Sequence, residues 1–71
     1  MMKERLVAPA IVEALERNGA LDIEELFKSL LKLHSNLDRK TFEENLMALE
    51  IQGLVKVYSL SRDRRRIELV R

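Results

Sequence analysis

The sequence has no cysteine and no tryptophan, one histidine, one proline, two glycines, and only two phenylalanines and one tyrosine. Without cysteine there is no disulfide, no thiolate metal ligand and no cysteine nucleophile, and the expected location is intracellular, in the cytoplasm. His34 stands alone with no second ligand near it in sequence, so no metal site is expected. The glycines are isolated after helix-like runs, which excludes a glycine-rich phosphate loop. No segment approaches the roughly 20 apolar residues that cross a bilayer, and no membrane partner is expected. The carboxylates are scattered over caps and surface positions rather than paired for acid–base work. No enzymatic activity, cofactor or small-molecule substrate is therefore expected.

What is present is the composition of a small folded domain: 46% apolar and 35% charged residues in a chain of 71, read as one domain over 1–71 with room for one hydrophobic core. Abundant Glu, Lys and Arg with no Cys or Trp also match a heat-adapted composition. The net charge of +1 conceals an asymmetry. Residues 1–53 hold seven Lys or Arg against ten Asp or Glu, a net of −3, whereas residues 54–71 hold six against two, a net of +4. Positive charge concentrated at one end is a pattern that suits a polyanion.

Ile11, Ala14 and Leu15 recur at helical spacing and Pro9 suits a first turn, which predicts a helix over 8–18 stopped by Gly19. Lys3–Val7 either extends this helix or forms an arm. Ala20-Leu21 reads as a short connector. Asp22 and Glu25 have the spacing of a capping box for a second helix over 23–33, with Ile23, Leu26, Phe27, Leu30 and Leu31 as its buried stripe. His34-Ser35-Asn36 favours a turn. Asp38 caps a third helix over 39–52, where Phe42, Leu46 and Leu49 share one face and Gly53 ends the element. Two β-prone runs, 54–60 and 66–70, flank the polar stretch Ser61-Arg62-Asp63-Arg64-Arg65-Arg66 and predict a hairpin with a basic tip. Tyr58 within it reads as a packing residue of the hairpin.

The fold class that follows is α+β, mainly α: three helices and a two-stranded C-terminal hairpin. The run from Leu37 to Val55 resembles the third helix and first wing strand of winged helix-turn-helix domains, with Leu46, Leu49, Glu50, Gly53, Leu54 and Val55 matching that pattern. The resemblance implies a double-stranded-DNA-binding transcription regulator whose third helix enters the major groove and whose wing touches the flanking backbone or minor groove. On it, Arg39, Lys40 and Thr41 would meet phosphates and base edges, Asn45 would read adenine, and Arg62, Arg64, Arg65 and Arg66 would be wing contacts.

The residues also support a different reading. Lys40, Glu43, Glu44, Met47 and Ile51 share the outward face of the third helix, and two acids there oppose phosphate; an ordinary surface helix with a Lys40–Glu44 ion pair is the alternative. Met47 and Ile51 form an outward apolar pair that implies a partner, either a second copy of the chain or another protein in a larger complex, unless the N-terminal arm covers it. Val7, Ala10 and Ile11 of the first helix are the other expected dimer surface.

Overall fold

The computed structural model describes residues 6–70. Its elements run α1 (Val7–Asn18), β1 (Leu21–Asp22), α2 (Ile23–Leu33), α3 (Arg39–Ile51), β2 (Val55–Ser61) and β3 (Arg64–Leu69). The fold is α+β and mainly α. The strands form one antiparallel sheet in the order β1-β3-β2. α1 packs against both other helices and against β3, and α3 packs against β2.

The helices begin and end where their sequences dictate. Pro9 occupies the first turn of α1, and Gly19, at φ 73°, closes that helix. Asp22 caps α2 by accepting the Glu24 N–H at 2.9 Å, so the capping contact falls one residue before the expected Glu25. Asp38 caps α3 by accepting the Thr41 N–H at 2.7 Å. At the far end of α3, the Gly53 N–H donates to the Glu50 carbonyl and the Leu54 N–H to the Leu49 carbonyl, both at 3.0 Å. That pair of bonds needs a left-handed residue between helix and strand, and Gly53 supplies it with φ 78°.

One core joins all the elements. Val7, Ile11, Ala14 and Leu15 of α1 meet Ile23, Leu26 and Leu30 of α2, Phe42, Leu46 and Leu49 of α3, and Val55 and Ile67 of the sheet. Phe27 and Leu31 lie at its margin, half-buried. Two residues expected at a dimer surface are thereby relocated: Val7 and Ile11 are both 0% exposed. The reason is helical geometry. α1 starts at Val7, and Val7, Ile11 and Ala14 then fall on one face with Leu15, the face that must turn inward. Ala10 beside them is half-buried. Of the segment 3–7, Val7 is helical and residues 3–5 lie outside the described residues.

The sheet differs from the expectation in two ways. The connector after α1 is a strand: Leu21 pairs with Ile67 and Asp22 with Arg66, making the sheet three-stranded. β1 thereby satisfies the edge of β3 that a bare hairpin would leave open. The tip is also shorter than the polar run suggested. β2 extends to Ser61 and β3 begins at Arg64, leaving only Arg62 and Asp63 in the turn, with an irregularity in register between Ser59 and Ser61. Arg64, Arg65 and Arg66 are therefore strand residues. Their backbone groups join the ladder while their long side chains reach charged partners or water, which lets a polar run adopt β structure.

Candidate nucleic-acid interface

The N-terminal turn of α3 is where the resemblance placed base and phosphate contacts, and three of its four candidate side chains are engaged within the chain. The Arg39 guanidinium donates Nη1 to Glu24 Oε1 at 2.8 Å and Nη2 to Glu24 Oε2 at 2.6 Å, while its Nε donates to Glu43 Oε2 at 3.0 Å. It also lies 5.0 Å from the centre of the Phe27 ring and 5.4 Å from that of Phe42. Thr41 is committed to the cap: its N–H bonds Asp38, and its hydroxyl and N–H together hold the Asp38 carboxyl below its ordinary range. Asn45 folds back on its helix, with Nδ2 donating to the Thr41 carbonyl at 2.8 Å. Lys40 is exposed and has no ion-pair partner among the described residues. The expected Lys40–Glu44 pair is not formed; the i, i+4 pair on this helix is Arg39–Glu43.

The hairpin sorts its arginines by strand alternation. Register pairs Val57 with Ile67 and Ser59 with Arg65, so Arg65 shares the helix-side face with the core residues. From there it donates Nη2 to Glu43 Oε2 at 2.7 Å and Nη1 to Glu43 Oε1 at 3.2 Å. Arg66, opposite Tyr58 and Asp22, lies on the other face, as does Lys56 opposite Glu68. Arg64 makes a single long bond to Asp22 at 3.4 Å. Arg62 in the turn and Arg66 on the strand are exposed, and neither has an ion-pair partner among the described residues. Tyr58 donates its hydroxyl to Glu68 at 2.7 Å and lies under the Lys56 ammonium, in keeping with a packing role in the hairpin.

A chain of alternating charge therefore links three elements: Glu24 on α2, Arg39 and Glu43 on α3, Arg65 on β3. The Arg65 guanidinium, and then Arg39, hold the Glu43 carboxyl below its ordinary value, and the Arg39 bond does the same for Glu24. Arg39 is correspondingly raised, chiefly by Glu24. Four charges cancel in this chain, so none is open to an outside anion without breaking a pair. Among the described residues of α3 and the hairpin, the cations with no ion-pair partner are Lys40, Lys56, Arg62 and Arg66, and Arg64 is held only by its 3.4 Å bond to Asp22.

Further along α3 the surface turns acidic and apolar. A cleft of about 220 Å³ between α3 and the sheet is lined by three acids, Glu43, Glu44 and Glu50, by two cations, Lys40 and Arg65, and by Leu46, Met47 and Val57. Met47 is 61% and Ile51 78% exposed, so both face outward as their spacing implied. A second open depression, about 470 Å³, lies between α1 and the end of α3 over Ala8, Val12, Leu49 and Leu54, with Glu13 and Glu16 at its rim. Among the described residues no three His, Asp or Glu side chains converge as a metal site requires, and no helix is long and apolar enough to cross a membrane.

Sequence spacing carried part of this surface and missed part. Spacing suggested an i, i+4 ion pair on α3 but at Lys40–Glu44, whereas the pair formed is Arg39–Glu43, one residue earlier. Glu24 and Arg65 lie 15 and 22 residues from their partners, and no local signal marks them. The depression over α1 did have one: Ala8 and Val12 are an i, i+4 apolar pair beside the buried stripe. Comparison with known proteins finds no family model, no characterised protein and no solved structure that matches this chain.

Proposed function

We propose that the chain is a small winged-helix protein that binds double-stranded DNA through the phosphate backbone, acts as a transcription regulator, and uses its hairpin rather than its third helix as the main contact. The observation that carries this is the exposed cationic hairpin: Lys56, Arg62, Arg64 and Arg66 stand on the outward face and turn, while Arg39, the one cation of α3 besides Lys40, is neutralised. Guanidinium groups pair with phosphate in two-point contacts, and a narrow hairpin tip fits a groove edge. Binding to random-sequence duplex should fall with salt at a log–log slope of about −3 for three to four phosphates neutralised. The variant Arg62→Ala/Arg64→Ala/Arg66→Ala should lose most of that slope. A wild type that fails to bind at low salt, or a slope the variant retains, contradicts the reading.

A second reading is favoured by one specific feature, the exposed pair Met47 and Ile51 on α3, with Met47 lining a cleft of mixed charge. In it the chain is an interaction module that docks on another protein of a larger complex, or on a second copy of itself, through α3. Met47→Lys/Ile51→Lys separates the two. A monomeric DNA binder keeps or gains affinity for duplex, while an interaction module loses its complex, read by co-elution or by sedimentation of the free chain.

A further inference from the structure

Glu43 occupies an arrangement that exceeds what an ordinary surface ion pair requires. Its two carboxylate oxygens accept three N–H donors from two guanidiniums: Arg39 Nε at 3.0 Å, Arg65 Nη2 at 2.7 Å and Arg65 Nη1 at 3.2 Å. The two arginines come from different elements, α3 and β3, and converge on one point. Arg39 is further fixed by its two bonds to Glu24 and by the Phe27 and Phe42 rings, so its Nε keeps its aim whether or not Glu43 is present. A phosphodiester has two non-bridging oxygens that accept guanidinium donors in the same two-point manner as a carboxylate. The site is open to solvent: the side chains of Arg39, Arg65 and Glu43 are 38%, 39% and 33% exposed.

We infer that Arg39 and Arg65 form a binding site for a backbone phosphate of nucleic acid, which the Glu43 carboxylate fills in the free protein and must vacate for the phosphate to enter. The inference rests on the nucleic-acid reading above and deepens it. Glu43 then limits affinity. While it is in place the third helix offers DNA little charge, and the hairpin supplies the first contact; a phosphate that displaces it recruits two further guanidiniums beside Lys40. The arrangement confines tight binding to duplex positioned to bring a phosphate to this point. It assigns Glu43 a competing role, not a contact with DNA.

The test is a cycle of Glu43→Gln, Arg65→Ala and the double variant, each measured on random-sequence duplex across a salt series with its melting temperature read alongside. Glu43→Gln should bind about tenfold tighter at low salt, with a slope steeper by about one to two. Arg65→Ala should change wild-type affinity less than about threefold, yet remove most of the gain in the Gln background. If Glu43→Gln binds no tighter than wild type, or if the gain survives the loss of Arg65, the site is overturned and Glu43 is a structural clamp. If Glu43→Gln does not stay folded, the wild type itself answers through its arginine Nε–Hε resonances. Those of Arg39 and Arg65 should shift on titration with duplex, and shifts confined to Arg62 and Arg66 overturn the site. Absence of binding by every form removes the nucleic-acid reading and the site with it, whereas hairpin-dependent binding without a Gln effect removes only the site.

Discussion

Glu43 also couples the surface to stability. Its ordinary value is 4.5, and Arg65 and Arg39 lower it in the folded chain. A carboxylate depressed on folding contributes stability that is present above the unfolded value and is lost as pH falls through the folded one. The melting-temperature difference between wild type and Glu43→Gln should therefore be steady above about pH 5.5 and narrow as pH falls below the ordinary glutamate range. A difference that stays constant into strong acid would mean the ion pairs contribute nothing. At this scale the sequence was half legible. Asp22 and Asp38 as caps, and Met47 and Ile51 as outward residues, follow from local rules. The partners of Arg39 and Arg65 depend on which elements the fold brings together, and spacing along the chain carries no such information.

The three helices were legible because each has its own start signal, apolar stripe and stop. Gly53 is the sharpest case, since the turn from α3 into β2 needs its positive φ of 78°. A Cβ there meets nothing within 4 Å, so the cost of Gly53→Ala is backbone strain alone. Chemical denaturation should show a loss of about 1–2 kcal/mol, and Gly53→Asn should lose less, because asparagine tolerates this region better. Equal stability of the wild type and Gly53→Ala would contradict the cap geometry. The strands were less legible. β1 has two residues, too few for alternation to register, and it exists because β3 has an edge to satisfy. The start of β3 was hidden by three consecutive arginines, whose composition reads as turn while their backbone pairs with β2.

Across the whole molecule the charge asymmetry seen in the sequence persists, but folding redistributes its meaning. Of the four arginines at the hairpin, Arg65 is spent on Glu43 and Arg64 leans toward Asp22, so Arg62 and Arg66, with Lys56, carry the open charge. The helices present a different character: mixed charge and the exposed apolar pair Met47 and Ile51 on α3, and an apolar depression over α1 with Glu13 and Glu16 in its lining. The described surface is thus uneven: open cations gather on the outward face and turn of the hairpin, while exposed apolar residues gather along α3. The most direct test of the central claim is a map of backbone-amide shifts on titration with random-sequence duplex DNA at low salt. Residues of β2, the Arg62–Asp63 turn and β3 around Arg66 should shift first and most, and the shifts should vanish as salt is raised. No shift at low salt, or shifts centred on Met47 and Ile51 with the hairpin silent, would contradict it.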